Sequence, residues 1–172
     1  MEADEGLARR AAAGDAAAFA ALVRLHEAKV RRFLSRLVRG DGADDLAQEA
    51  FVTAWRMRRD YRGGRYGAWL MRIAWTAFLS DRRAAGRRQE RDARSWQSSE
   101  QIGLRSDELR LDVAAALDTL DDREKAAAQL CFAEGYSHAE AAEIMGLPLG
   151  TLKSIAARAK ARLTLLLETQ ND

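Results

Sequence analysis

The segment SHAEAAEIMGLPLGTLKSIAARAKARL, residues 137–163, has the pattern of two helices joined by a short turn. Ser137 and Glu140 have the spacing of a capping box, which predicts that the first helix begins there. Gly146 is placed to end that helix, and Pro148 can begin a second one without losing a needed hydrogen-bond donor. The segment therefore predicts a helix-turn-helix.

The second helix of this pair has an apolar face and an opposite face of small and basic residues. The apolar positions recur at spacings of three and four: Leu149, Leu152, Ala156, Ala159 and Leu163. Small outer residues and positive charge allow a helix to enter the major groove of DNA closely. The candidate contacts to duplex DNA are Thr151, Lys153, Ser154, Arg158 and Arg162. An ordinary amphipathic hairpin is the alternative, and this segment alone does not decide between the two.

Composition favours an all-α protein. The 172 residues include one Pro, 48% hydrophobic residues and few aromatics, and this length suits one or two small domains. Cys131 is the only cysteine, which excludes a disulfide within the chain. No apolar run approaches membrane-spanning length and the N-terminus lacks a signal-peptide pattern. We therefore expect a soluble, cytoplasmic protein.

The net charge of +2 conceals strong segregation of charge along the chain. Residues 56–94 contain twelve Arg against four acids, a local charge of +8, whereas residues 95–122 contain seven acids against two Arg, a local charge of −5. This asymmetry predicts a part that binds a polyanion, followed by an acidic connector. The core-poor stretch 89–111 predicts a flexible linker between two small helical domains, 1–88 and 112–172.

A helix is predicted from about Asp44 to Met57, and its sequence DDLAQEAFVTAWR separates into two faces. The outer face holds the candidate protein-binding residues Asp45, Gln48, Glu49, Val52 and Arg56. An acidic, partly apolar surface beside a strongly basic segment favours docking of a protein over binding of nucleic acid. The alternative is that Asp44 and Asp45 only cap the helix, since Asp45 and Gln48 also fit a capping box.

A second candidate DNA surface follows this helix. The segment RRDYRGGRYG, residues 58–67, has three Gly and no apolar period, which predicts a loop. Tyr61 and Tyr66 alternate there with Arg side chains, which suits stacking on unpaired bases and contact with phosphates. A helix predicted over about residues 68–85 adds a polar stripe. The candidates for single-stranded DNA are Arg58, Tyr61, Arg62, Arg65, Tyr66, Arg72, Thr76 and Arg83.

The chain shows no pattern of an enzyme. Its two histidines, His26 and His138, have no catalytic or metal-ligating partners at a recognisable spacing. We therefore expect no cofactor and no metal site.

In their order along the chain, these pieces resemble an extracytoplasmic-function (ECF) sigma factor of bacterial RNA polymerase. The resemblance covers nearly the whole sequence. It rests on GDAAAF at 14–19, DDLAQEAFVTAWR at 44–56, YRGG and AWLMRIA within 61–74, ALDTLDDREK at 116–125, and AAEIMGLPLGTLKS at 141–154.

The resemblance implies roles for each surface. The helix of residues 44–56 would bind the clamp helices of core RNA polymerase. The Tyr–Arg loop and the helix after it would melt and read the minus-ten element of promoter DNA. The last helix would read the minus-thirty-five element as duplex, and an anti-sigma factor would be a further partner.

The chain departs from the family at several positions. Ile155 stands where the family usually has Arg, and it is either an apolar contact for a thymine methyl or a core residue. Trp75 and Thr76 replace a frequent Arg-Asn pair, and Trp75 fits either core or surface. The alternative functions are a sigma-like decoy that sequesters an anti-sigma factor, and a conventional repressor or activator that uses only the helix-turn-helix.

Overall fold

The computed structural model describes residues 2–38, 42–92 and 119–168, and every regular element in these ranges is helical. The chain divides into two compact units, residues 1–101 and 102–172. The all-α prediction is confirmed. None of the helices within the described ranges has the length and apolar character needed to cross a membrane.

Within residues 2–38 and 42–92, the first unit contains four helices and one short turn. They are α1 (Glu2–Ala12), α2 (Ala16–Leu37), α3 (Gly42–Arg56), a 3-10 turn (Arg58–Asp60) and α4 (Tyr66–Asp92). Asp15 caps α2 by accepting a hydrogen bond from the Ala18 amide at 3.0 Å, and this bond, with the Arg10 guanidinium, lowers the pKa of Asp15. The largest side chains of the core are fully buried: Leu22, Phe33, Leu34, Leu70, Met71 and Phe78.

The second unit contains the helix-turn-helix. Its elements are α5 (Asp122–Ala128), a π-helical turn (Gln129–Ala133), α6 (His138–Met145) and α7 (Leu149–Glu168). The predicted capping box of Ser137 with Glu140 is present, and a second one joins Asp121 and Glu124 at the start of α5. Gly146 ends α6 in the left-handed conformation, at φ +65°.

The π-helical turn continues directly from α5. The Glu134 amide donates to the Gln129 carbonyl oxygen, five residues earlier, at 2.9 Å, where an α-helix would use a partner four residues earlier. The turn places Leu130 in the core and leaves Phe132 half exposed. Cys131 is half-buried, and burial raises the pKa of its thiol.

Two predicted helices have different boundaries in the structure. α3 begins at Gly42, so Asp45 lies inside its first turn and does not form a capping box with Gln48. α4 runs from Tyr66 to Asp92, beyond both ends of the predicted range, because its last turns contain good helix formers with one tolerated Gly. Of the predicted linker 89–111, residues 93–111 lie outside the described part of the chain.

Candidate protein and nucleic-acid interfaces

The outer face of α3 presents the predicted protein-binding residues as one exposed stripe. α3 turns Leu46, Ala47, Ala50 and Ala54 into the core, which forces the intervening positions outward. All five candidates are exposed: Asp45, Gln48, Glu49, Val52 and Arg56. Val52 is 42% exposed, so the stripe combines acidic groups with an accessible apolar side chain.

An apolar groove runs beside this stripe, between α2 and α3. Its volume is about 430 Å³, and its lining is Ala16, Phe19, Val23, Gln48, Phe51, Val52 and Trp55. The rings of Phe19 and Trp55 lie 5.0 Å apart. Phe19, Val23, Phe51 and Trp55 are all only partly buried. Their incomplete burial adds an apolar surface to the acidic face. In the sequence, the only indication of this apolar surface was the partly apolar character of the outer stripe of α3.

Tyr61 and Tyr66, which the sequence predicts to stack on unpaired bases, are both buried in this structure. Tyr61 is 8% exposed and Tyr66 is 4% exposed. Their rings meet edge-on at 5.5 Å, and Tyr61 lies 5.7 Å from the ring of Trp69. Packing these rings against one another removes apolar surface from water that would stay hydrated if the rings were exposed in a loop. Neither ring offers an open face to a base.

The same cluster shapes the loop between the 3-10 turn and α4. The Tyr61 hydroxyl donates a hydrogen bond to the Gly64 carbonyl oxygen. Gly63 and Gly64 adopt φ +100° and +85°, a region that other residues rarely enter. Arg62 and Arg65 therefore extend into solvent from a loop whose shape is set by the buried tyrosine.

His26 belongs to this cluster as a packing residue. Its ring lies 5.5 Å from that of Tyr66, and its Nε2 lies 3.2 Å from a carboxylate oxygen of Asp4, outside hydrogen-bond geometry. Burial lowers the pKa of His26, and the Asp4 charge partly opposes this change. Burial likewise raises the pKa of Tyr61 and Tyr66. These contacts join α1, α2 and the start of α4 into one packed site.

A cavity of about 520 Å³ lies between α3, the 3-10 turn and α4. It brings Glu49 of the protein-binding stripe next to Arg72 and Thr76 of the predicted minus-ten stripe. The remaining lining residues are Thr53, Met57, Asp60, Trp69, Ile73, Ala77 and Ser80. The cavity thus contains carboxylates, a guanidinium, hydroxyls and an indole, which are groups that can bind a planar polar ligand such as a nucleobase.

Along α4, the predicted DNA residues and the core residues separate cleanly. Arg72, Thr76 and Arg83 are exposed. Trp75 is 3% exposed and stacks on Phe78 at 5.4 Å between ring centroids, so its role is structural. Arg58 is half-buried beside Trp55 and does not lie with the exposed arginines.

The outer face of α7 is accessible along its first three turns. The five predicted duplex contacts are all exposed: Thr151, Lys153, Ser154, Arg158 and Arg162. Ile155 is 5% exposed and Leu152 is fully buried, so Ile155 is a core residue in this structure. Arg158 and Arg162 approach the buried carboxylate of Glu124 on α5, a contact that the sequence pattern did not reveal.

Both units match known families. Residues 22–88 match Sigma-70 region 2, and residues 110–163 match Sigma-70, region 4. The chain is 35% identical over 164 residues to the ECF RNA polymerase sigma factor SigE of Mycolicibacterium smegmatis, covering 88% of this chain and 63% of that protein. It is 33% identical over 172 residues to the ECF RNA polymerase sigma-E factor of Escherichia coli K12, covering 91% of this chain and 90% of that protein.

Two solved structures are also similar to the chain. One is the sigma factor RpoE in complex with the anti-sigma factor NepR from Bartonella quintana, with a TM-score of 0.75, 32% identity and coverage of 87% of this chain and 96% of that one. The other is CnrH in complex with the cytosolic domain of CnrY, with a TM-score of 0.72, 28% identity and coverage of 97% and 98%. Because both sigma regions are matched and a relative covered over 90% of its length is 33% identical, the chain belongs to the ECF sigma factors of bacterial RNA polymerase.

Proposed function

We propose that this chain is a promoter-specificity subunit that binds core RNA polymerase, directs it to particular promoters and helps to open the DNA. The observation that carries the proposal is the arrangement around the cavity in the first unit. An exposed acidic stripe on α3 adjoins a basic stripe on α4, and the two share Glu49, Arg72 and Thr76 as neighbours. A protein-docking face next to a polyanion-binding face is what a polymerase subunit that holds melted DNA requires.

The first domain, residues 1–88, carries polymerase binding and recognition of the minus-ten element in this proposal. The α3 stripe and its neighbouring apolar groove bind the polymerase. The exposed arginines and Thr76 bind the melted strand: Arg62, Arg65, Arg72, Thr76 and Arg83. The proposal includes no direct DNA contact from Tyr61, Tyr66 or Arg58, because the two tyrosines are buried and Arg58 stacks on Trp55.

The second domain, residues 112–172, recognises the minus-thirty-five element as duplex. Thr151, Lys153, Ser154 and Arg158 occupy the exposed side of α7, with Arg162 one turn further along. Two weak DNA contacts on one chain gain affinity when polymerase holds both at the right separation. The protein acts in the cytoplasm, where polymerase and DNA are.

An anti-sigma factor is the expected regulator. The solved relatives are complexes with NepR and with the cytosolic domain of CnrY, respectively. By analogy, a protein partner would cover one or both of the DNA-binding faces of this chain. The decoy alternative is disfavoured because a protein that only sequesters an anti-sigma factor needs no exposed arginines on the loop and on α4.

The test is capture of purified core polymerase by the full chain, followed by transcription from a pool of genomic promoter fragments. Promoter-selective transcripts are the expected result. Failure to bind polymerase, with tight capture of another small protein, would support the decoy.

Two sets of variants separate binding to core polymerase from opening of the promoter DNA. Glu49→Arg should weaken polymerase capture by about tenfold, equivalent to about 1.4 kcal/mol. Arg24→Glu is the matched charge reversal, because Arg24 is exposed on α2 and does not line the groove. Arg62→Ala and Arg65→Ala should keep capture and reduce open-complex formation. Normal capture by Glu49→Arg, or normal opening by both loop variants, would contradict the assigned surfaces.

A further inference from the structure

Glu124 is a buried carboxylate with two separate sets of partners. Its side chain is 5% exposed. Within its own helix it completes the capping box of α5: its amide donates to Asp121 Oδ1 at 2.8 Å, and its Oε2 accepts from the Asp121 amide at 3.2 Å. These contacts begin α5 but use only part of the hydrogen-bonding capacity of a carboxylate.

The same carboxylate faces two arginines of α7. Nη1 of Arg162 lies 2.7 Å from Oε2 of Glu124, and Nε of Arg158 lies 3.6 Å from Oε1. The two arginine side chains are 51% and 64% exposed, respectively. Each therefore contacts a buried anion while much of its side chain remains in solvent.

The capping role does not explain the charge. A glutamine at the same position completes a capping box equally well, because its amide oxygen accepts the same backbone hydrogen bond. A buried carboxylate is costly unless cations compensate it. The charge at Glu124 is thus paired with the cations of α7, the helix that presents Lys153 and Ser154 on its outer side.

We propose that Glu124 is a positioning residue for DNA recognition by α7: it fixes Arg158 on the outer face and reduces the positive charge that Arg162 offers to phosphates. The inference rests on the proposed role of α7 in reading duplex DNA. Unrestrained arginines bind any phosphate backbone, so they raise non-specific binding more than specific binding. Glu124 therefore favours specific over non-specific binding.

The test compares Glu124→Gln with Asp121→Asn in the full chain. Asp121→Asn removes one negative charge from the same capping box and keeps an N-cap oxygen, and the hydrogen bond described for the Asp121 side chain is with the Glu124 amide rather than with an arginine. Both arginines of α7 can remain hydrated when Glu124 is neutral, so we expect both variants to fold. Circular dichroism melting checks this.

Binding is measured against two duplexes over a series of salt concentrations. One is selected by the wild-type chain from a randomised pool, and the other is its scrambled counterpart. Glu124→Gln should bind the scrambled duplex more tightly and steepen its salt dependence by about one unit of slope, which is the effect of about one extra phosphate contact. The ratio of the affinity for the selected duplex to the affinity for the scrambled duplex should fall by about threefold or more, because Arg158 is no longer held in place by Glu124.

A second comparison gives an independent result. Arg162→Gln should flatten the salt slope only slightly when Glu124 is present, because the charge of Arg162 is then partly paired with that carboxylate. The flattening should be larger in the Glu124→Gln background, where Arg162 is free to contact phosphate. Equal salt slopes and equal affinity ratios for Glu124→Gln and Asp121→Asn would overturn the inference.

Lys153→Ala separates this failure from failure of the proposed function. If Lys153→Ala lowers affinity for the selected duplex while Glu124→Gln behaves like Asp121→Asn, α7 reads DNA and only the positioning role is wrong. If Lys153→Ala and Ser154→Ala both leave the affinity ratio unchanged, α7 is not the reading helix, and the inference is overturned together with that part of the proposed function.

Discussion

The guanidinium of Arg58 stacks on the indole of Trp55, with its central carbon 4.2 Å from the ring centroid. Nη1 of Arg58 also donates a hydrogen bond to the Trp55 carbonyl oxygen at 2.9 Å. One arginine thus covers the indole and satisfies a carbonyl near the end of α3. The charge that the sequence assigned to DNA instead holds the 3-10 turn against α3.

Arg58→Lys should destabilise the first unit. An ammonium stacks less well than a planar guanidinium, so we expect a loss of about 1 kcal/mol in the free energy of unfolding. The measurement is denaturant unfolding followed by Trp fluorescence. Arg59→Lys is the matched control, because Arg59 is exposed, and it should change stability by less than about 0.5 kcal/mol. Equal losses in the two variants would exclude a special role for the stacking contact.

Tyr66 should make stability fall at alkaline pH. Burial, with a smaller contribution from Tyr61, raises the pKa of Tyr66 far above its usual range. The folded chain therefore keeps the phenolic proton where the unfolded chain loses it, and the free energy of unfolding falls as pH rises above about 10. Tyr66→Phe should lose less stability than the wild type between pH 9 and 11, in about the range where an exposed phenol titrates. Parallel pH profiles of the two proteins would mean that Tyr66 is not buried in solution.

His26 should make stability fall at acidic pH. Its pKa is lowered mainly by burial, so the unfolded chain takes up the proton more readily and stability falls as pH drops below about 6.5. Asp4 opposes this shift, and Asp4→Asn should therefore steepen the loss of stability between about pH 7 and 5. His26→Gln should flatten it. Urea unfolding at several pH values measures these profiles for the wild type, Asp4→Asn and His26→Gln. A steeper profile in His26→Gln would show that His26 is not the cause of the loss of stability at acidic pH.

Two glycines of the helix-turn-helix should respond to alanine with opposite signs. Gly146 has φ +65° and no atom near the position of a new Cβ, so Gly146→Ala costs about 1 kcal/mol from backbone strain alone. Gly150 lies in α7 with equally open surroundings and no positive φ, so Gly150→Ala should stabilise the helix by up to about 1 kcal/mol. Thermal unfolding monitored by circular dichroism compares the two. Destabilisation of equal size by both would show that strain at Gly146 is not the cause.

The features that the sequence predicted correctly depend on neighbours a few residues apart. The capping box at Ser137 and the exposed stripe of α3 follow from spacings of three and four residues, and the end of α6 follows from Gly146. Local hydrogen bonds and helical periodicity determine them, whatever the rest of the chain does.

The features that the sequence missed depend on distant partners. Tyr61 and Tyr66 looked like exposed loop residues because their burial against His26 and Trp69 requires α2 and α4 to be packed. The pairing of Glu124 with Arg162 crosses 38 positions of sequence. A pattern of charges and aromatics indicates which residues can bind a polyanion, but it does not indicate which of them the fold uses internally.

The π-helical turn at Gln129–Ala133 makes the length of this segment as important as its composition. A π-turn holds one more residue than an α-turn, so deletion of a single residue there could restore a regular helix without breaking it. Because the π-turn accommodates its extra residue locally, such a deletion would leave α5 and the chain that follows in nearly the same helical phase, and Glu124 would still face α7. A one-residue deletion within the regular turns of α5 after Glu124 would instead rotate Glu124 by about 100°, so the buried ion pair is expected to tolerate a change of length only at the π-turn.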